Sequence, residues 1–291
     1  MTDAISRIRR FNRAVSTEIG ALDHSYLGRG RPLGAARVLC TIGESGAVVS
    51  ELRDLLGLDS GLMSRLLRGL EDEGLITTTP CDQDGRRRVA RPTEAGCAEI
   101  LAYDALSNER AGRILDLSGA QSEAMLEAMD RITTILGQHR IEISEHHPET
   151  PDARHCLQRY YDTLARRFET GFDVAQSRDP DITDLTPPRG SFLVATLEGA
   201  PLGCVGVKGD GSELAEIKRL WVAPSARGIG LAGKLMQAAE HRASDLGITT
   251  LRLDTNKALT EAIALYRSTG WHEIDAFNTE RYAHHWFEKH L

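Results

Sequence analysis

The chain reads as two domains, a mainly helical one followed by an α+β one built on a mixed sheet. Three observations carry that reading. Apolar residues recur at helical spacing through the first half, interrupted once by a short hairpin. Strand-like and helix-like segments alternate through the second half. Between them, from about Ile141 to Asp152, the pattern dissolves into mixed charge with Pro148 and Pro151. A chain of 291 residues also exceeds one ordinary domain. The expected division is 1–143, a linker at 144–152, and 153–291.

Ile5, Ile8, Phe11, Val15, Ile19 and Leu22 predict one long amphipathic helix, and Pro32-Leu33-Gly34 opens another that runs to Ile42. Ser50 stands as cap before a short helix, Glu51 to Leu56, that Gly57 stops. Asp59 or Ser60 caps the next helix, Gly61 to Glu73, which ends at Gly74. Leu75–Thr79 reads as a strand, Asp82–Gly85 as a turn, and Arg86–Thr93 as the return strand. Long helices follow over about Glu94–Leu117 and Gly119–Leu136. In the second half, helices are expected near Ala153–Ala175, Gly230–Leu246 and Thr260–Thr269. Strands are expected at Gly190–Leu197, Pro201–Lys208, Leu214–Val222, Thr249–Asp254, Trp271–Asp275 and Tyr282–Glu288.

Composition narrows the function. Lys and Arg number 35 against 42 Asp and Glu, a net charge of −7, so no global positive field draws the chain to nucleic acid. Any DNA contact must come from a local patch. Cys40, Cys81, Cys97, Cys156 and Cys204 are scattered, without metal-binding spacing or the density of a disulfide framework. No metal is expected, and the thiols suit a reducing cytoplasm. No apolar run reaches membrane-spanning length, and Met1 to Arg7 lacks the apolar core of a signal peptide.

The local patch exists. Two short helices about a glycine-containing turn, followed by a hairpin, make a winged helix-turn-helix. Ser60, Ser64, Arg65 and Arg68 stand on the second helix, with donors sized for base edges and phosphates in a major groove. Leu62, Leu66, Leu67 and Leu70 supply its apolar side. The hairpin concentrates Arg86, Arg87, Arg88 and Arg91, and an arginine on a narrow wing can enter a minor groove. Arg68 beside Glu71 and Glu73 has a second reading as a solvated helix face, and Arg91 as a salt-bridge residue. Over Ser50–Thr93 the chain resembles the MarR family of dimeric regulators. The resemblance lies in Asp59-Ser60 through Gly74-Leu75-Ile76 and in the wing pattern Asp84-Gly85-Arg86. Pro92-Thr93 departs from it, with proline in place of the usual leucine. The resemblance implies a homodimer interlocked through its terminal helices, here Ile5–Leu22 and Gly119–Leu136. Two recognition helices about 34 Å apart would then face a pseudo-palindromic operator in double-stranded DNA.

The most informative stretch is Val222-Ala-Pro-Ser-Ala-Arg-Gly-Ile-Gly-Leu-Ala-Gly-Lys-Leu-Met236. A strand ends at a proline, and a glycine-rich turn then enters a helix. Glycines at 228 and 230 let backbone approach a ligand closely, and amides at a helix start favour an anion. A Walker loop is excluded because no Gly-Lys-Ser/Thr follows, and Gly228-x-Gly230 followed by Gly233 lacks the parallel-sheet context that a dinucleotide fingerprint needs. With Asn256 after a strand, and with Ala262 to Leu265-Tyr266 and Gly270-Trp271 on the next helix, the chain resembles the GNAT family of acyl-CoA-dependent N-acetyltransferases. Its glycine signature stands as Arg227-Gly-Ile-Gly230-Leu-Ala232.

That resemblance implies acetyl-CoA as co-substrate and a sheet splayed at the strand before the turn. Leu220, Trp221 and Val222 would pair with the pantetheine, and amides of Arg227, Gly228, Ile229, Gly230, Leu231 and Ala232 would cradle the pyrophosphate. Asn256 would bond the pantetheine arm. Tyr266 takes the place of the general acid, or packs as a tunnel lining. Glu216 is the general-base candidate, or else an ion-pair partner of Lys218 or Arg219. His284 and His285 stand on the strand that edges the acceptor pocket in this family. Low aromatic content gives no support to a caged quaternary amine, and the acidic balance suits a cationic acceptor such as a polyamine, an aminoglycoside or a lysine side chain. The expected protein is a bifunctional regulator and N-acetyltransferase. The alternative is a repressor whose second half senses acyl-CoA without turnover.

Overall fold

The computed structural model describes residues 3–81, 87–169, 171–174 and 182–291. The chain divides into two compact units, Met1–Ala120 and Gln121–Leu291. The division falls earlier than the 143/144 boundary expected from the proline-rich stretch.

In the first unit, α1 (Ala4–Glu18) is capped by Asp3, whose carboxylate accepts from the Ile5 amide. It buries no residue, and Ile5, Ile8 and Phe11 stay exposed. Helices α2 (Leu33–Ile42), α3 (Val49–Leu56) and α4 (Ser60–Asp72) enclose a core of Val38, Leu39, Leu52, Met63, Leu67 and Leu70. Strands β1 (Ala47–Val48), β2 (Ile76–Pro80) and β3 (Arg88–Pro92) form an antiparallel sheet in the order β1-β3-β2. Ser50 does not cap α3. Strand β1 pairs with β3 and runs directly into the helix, so Val48 holds the cap position without a side-chain bond. Gly57 ends α3 in the left-handed region at φ 63°, the place where glycine carries no steric penalty. Asp59 caps α4 by accepting from the Leu62 amide at 2.9 Å. Thr93 caps α5 (Glu94–Ser118) through the Gly96 amide at 3.1 Å.

The second unit starts with α6 (Ser122–Gly137), expected to belong to the first domain. It packs on the turn Pro224–Ala226, and a Cβ on Gly137 would come within 2.8 Å of Leu197. The residues it buries are Thr134 and Gly137, while Leu126, Met129, Ile135 and Leu136 stay exposed, so its apolar stripe does not say which core the helix joins. Part of the expected linker is also structured. Strand β4 (Glu142–Glu145) pairs antiparallel with β5 (Ser191–Leu197). Helix α7 (Pro151–Arg167) begins at a proline, whose missing amide costs nothing in a first turn. It ends before Ala175 because Phe168 turns extended and buries its ring.

The remaining elements are β6 (Ala200–Gly209), β7 (Leu214–Val222), α8 (Leu231–Asp245), β8 (Thr250–Thr255), α9 (Thr260–Ser268), β9 (His272–Ile274) and β10 (His285–His290). They complete a seven-stranded mixed sheet, β4-β5-β6-β7-β8-β10-β9. Among the described strands only β7 and β8 run parallel, and they pair over Leu214–Glu216 against Thr250–Arg252. Beyond Glu216 they separate, so the last six residues of β7 present one open edge. The register of β6 on β7 shifts between Cys204 and Gly206, and Arg219 takes up the extra residue at φ 58°. Among the described residues, no helix is long and apolar enough to cross a membrane.

Candidate functional site

The open edge of β7 leads into the glycine turn. Gly228 and Gly230 adopt φ of 82° and 79°, which other residues rarely take, and a Cβ on either would meet nothing within 4 Å. The amides of Gly228 through Gly233 have no hydrogen-bond partner among the described residues. A cavity of about 500 Å³ adjoins them, lined by Leu220, Trp221, Val222, Arg227, Gly228 and the start of α8. Helix α7 forms part of its wall through Tyr160, Thr163, Leu164 and Arg167. Donors that point into open space beside an apolar channel fit a diphosphate with a pantetheine arm. An acetyl-CoA molecule therefore suits this chain's own residues.

Trp221 is buried and donates to Thr163 at 3.3 Å, which fixes β7 against α7. Arg227 is exposed, and its side chain turns back to the Val222 carbonyl at 3.4 Å. Ile229, the remaining turn residue, packs partly buried against the core. Arg167 spans to α9, donating to the Ala258 carbonyl and to Glu261, each at 2.8 Å. The hydrogen bond from Arg167 holds the Glu261 carboxyl below its usual range.

A second cavity of about 110 Å³ continues from the first, with Tyr160, Leu164, Leu220, Leu259 and Ala262 lining both. Tyr266 stands in its wall, buried, and makes no side-chain hydrogen bond among the described residues. Burial first, and the Asp254 carboxylate second, push its phenol well above the ordinary value. Asn256 lines the same cavity, but its amide already donates to the Tyr282 carbonyl at 2.7 Å and accepts from Ala258 at 2.9 Å. It shapes the loop after β8 while one N–H remains for a ligand.

Glu216 lines neither cavity. Its carboxylate lies 3.0 Å from Lys218, which also bonds Asp254 at 2.5 Å. Burial opposes the charge on Lys218, yet Asp254 and Glu216 outweigh it and raise that ammonium. The carboxylates that reach the smaller cavity are Asp254 and Glu280. Arg219, in the bulge, donates to the Tyr161 hydroxyl and lies 5.4 Å from the centre of that ring. His284 is exposed. His285 bonds Glu273 at 2.6 Å, and neither histidine lines a cavity.

Sequence reading missed the α7 residues, although Tyr160, Thr163, Leu164 and Arg167 stand at i, i+3, i+4 and i+7 and so share a helix face. The expected alternative, a Glu216 ion pair with Lys218, is present, but the bridge from Lys218 to Asp254 across the splayed strands has no local signal and was missed.

In the first unit, Ser60, Ser64, Arg65 and Arg68 are exposed on α4, opposite the buried Met63, Leu67 and Leu70. Arg68 bonds back to the Ser64 carbonyl at 3.3 Å rather than to Glu71 or Glu73. Those acids pair with Arg88 at 3.9 Å and with Arg31 at 2.6 Å. Arg87 meets Glu51 at 2.5 Å. Arg86, with the turn at 82–85, lies outside the described residues.

Together these features define a two-part protein, a winged helix unit followed by an α+β unit with a splayed sheet and a glycine turn. Residues 29–87 match the MarR family, and residues 154–271 match the Acetyltransferase (GNAT) family. The chain thus carries a MarR-matching region followed by a GNAT-matching one. It is 33% identical over 114 residues to the uncharacterized N-acetyltransferase YjgM of Escherichia coli, covering 37% of this chain and 66% of that one. It is 33% identical over 99 residues to an IAA acetyltransferase of Azospirillum brasilense, covering 33% and 64%. The chain thus spans just under two thirds of the length of these relatives. A solved structure of PaiA N-acetyltransferase from Thermoplasma acidophilum, in complex with coenzyme A, is similar at 18% identity and TM-score 0.41. That likeness covers 52% of this chain and 99% of that one.

Proposed function

We propose that the second unit transfers an acetyl group from acetyl-CoA to an amine, and that the first unit reads DNA as one half of a homodimer. The observation that carries the transferase reading is the separation of β7 from β8 after Glu216, which opens onto unpartnered amides at 228–233.

The chemistry follows from the two cavities. The open edge of β7 at Leu220–Val222 holds the pantetheine and the thioester carbonyl, while the glycine turn and Arg227 hold the diphosphate. The amine nitrogen, entering from the smaller cavity, bonds the acetyl carbon as the C–S bond breaks. Tyr266 is protonated at neutral pH, since its phenol is raised, and it gives that proton to the departing sulfur. The proton lost by the amine leaves through the carboxylates facing that cavity, Asp254 and Glu280. Glu216 acts on the site only by holding Lys218.

The test is release of free CoA thiol from acetyl-CoA and a panel of primary amines by the full chain. No release with any amine, in protein that still binds acetyl-CoA, supports the second reading, a regulator that senses the coenzyme without turnover. One observation favours that second reading. Glu216, the carboxylate the family resemblance points to, is held in an ion pair with Lys218 and lines neither cavity.

For the first unit, the exposed serine and arginine face of α4 and the wing arginines support groove and phosphate contacts. The exposed apolar residues of α1 support pairing with a second copy. Protection of an operator fragment by the full chain, with the mass of a dimer in solution, tests both.

A further inference from the structure

The smaller cavity has a wall that bulk composition hides. The chain has only six Phe and six Tyr, yet half of them line this one space: Tyr160, Tyr161, Phe168, Phe172, Tyr266 and Tyr282. All of these rings except Tyr266 form a continuous set. Phe172 lies 4.9 Å from Tyr282 and 5.9 Å from both Tyr161 and Phe168, and Phe168 lies 5.8 Å from Tyr282. The Tyr282 hydroxyl accepts from the Asp173 amide at 3.1 Å, which pins the ring in place. Leu220 and Tyr266 line the same cavity, and Leu220 also lines the larger one, where the proposed transferase chemistry puts the reacting carbonyl.

Charge points the same way. The charged side chains among the described lining residues are Lys218, Arg219, Asp254 and Glu280, two of each sign. A polyamine or an aminoglycoside needs several carboxylates to replace the water around its cations. Among the described lining residues there is no such excess. The cavity offers flat, polarisable surface and a balanced floor.

We infer that the acceptor is a small amine whose body is an aromatic ring, laid against Phe172 and Tyr282 with its nitrogen directed toward Leu220 and Tyr266. The inference rests on the transferase reading and narrows its substrate class. Phe172 and Tyr282 are then specificity-determining residues, in contact with the substrate but taking no part in proton transfer.

The experiment compares tryptamine, phenethylamine, butylamine and spermidine as acceptors for the full chain with saturating acetyl-CoA. The aromatic amines should exceed butylamine and spermidine in kcat/KM by about tenfold or more. Replacing Phe172→Leu keeps apolar volume and removes the ring. It should lower kcat/KM for tryptamine by roughly 3- to 10-fold through KM, and for butylamine by less than about twofold. Phe172→Tyr should restore the preference. Equal or better use of spermidine or butylamine overturns the inference and leaves the transferase reading standing, as does a Phe172→Leu loss that is the same for every amine. Absence of turnover with all four amines, in protein that binds acetyl-CoA, overturns both.

Discussion

Replacing Glu99→Gln should selectively weaken the first unit, and the structure sets the size of the effect. Glu99, on α5, is buried and receives Arg29 and Arg31 from the segment between α1 and α2. Arg31 also bonds Glu73 at 2.6 Å and the Tyr103 hydroxyl at 3.2 Å. Hydrogen bonding from Arg29 first, opposed by burial and then aided by Arg31, lowers the Glu99 carboxyl from 4.5 to about 2. That displacement corresponds to about 3 kcal/mol at neutral pH. Solvent screens the exposed Arg29 side of the cluster, so about 2 kcal/mol is the expected loss. In a unit of this size that lowers the melting temperature by roughly 8 °C. The folded pKa is the lower one, so the contribution is complete above about pH 4.5 and fades as pH falls toward 2. Scanning calorimetry of the full chain at several pH values reads it. The gap between wild type and Glu99→Gln should be widest at pH 7 and shrink below pH 4.5. Melting within 1 °C of wild type at pH 7, or a gap that widens in acid, would refute the reasoning.

Three further outcomes follow from the sites. Tyr266→Phe should cut turnover by about 10²-fold or more while the acetyl-CoA Kd, read by calorimetry, changes little, because the phenol faces the smaller cavity and not the amide turn. Glu216→Gln should reduce turnover by only about 2- to 5-fold and leave the acid limb of the pH profile in place, whereas a general base would cost about 10²-fold or more. Arg87→Ala with Arg88→Ala should weaken operator binding and lower the slope of log K against log salt by up to about 2, measured by fluorescence anisotropy. Both arginines now meet carboxylates in exposed pairs worth little, and phosphates displace such partners easily.

Much of the fold was legible because local rules set it. Gly57, Asp59 and Gly74 mark helix ends through cap chemistry, and the glycine turn after Val222 announces both a strand end and an anion site. The α8 helix and strands β5 to β8 fell within a residue or two of their expected bounds. What escaped depends on distant partners. The β4 strand hides in a polar stretch because its identity comes from pairing with β5. The stripe on α6 does not choose a core, and its packing on the Pro224–Ala226 turn, with Gly137 against Leu197, decides. At the site, the turn and Tyr266 were readable in order along the chain. The bulge at Arg219, the Lys218 to Asp254 bridge and the ring wall were not, since Phe172 and Tyr282 come from separate loops. Low average aromatic content concealed a local concentration, which is the ground for proposing an aromatic amine beside the polyamine, aminoglycoside or lysine acceptor that composition suggested.

The account depends on bare backbone nitrogens gripping a diphosphate, and titration calorimetry with acetyl-CoA on wild type and Gly230→Ala tests that directly. Gly230 stands at φ 79° with open space beyond it, so a methyl group there adds about 1 kcal/mol of backbone strain and enters the volume meant for phosphate. Wild type should bind stoichiometrically, and the variant at least about tenfold more weakly while still melting cooperatively. No heat from folded wild-type protein, or an unchanged Kd in the variant, would contradict the account.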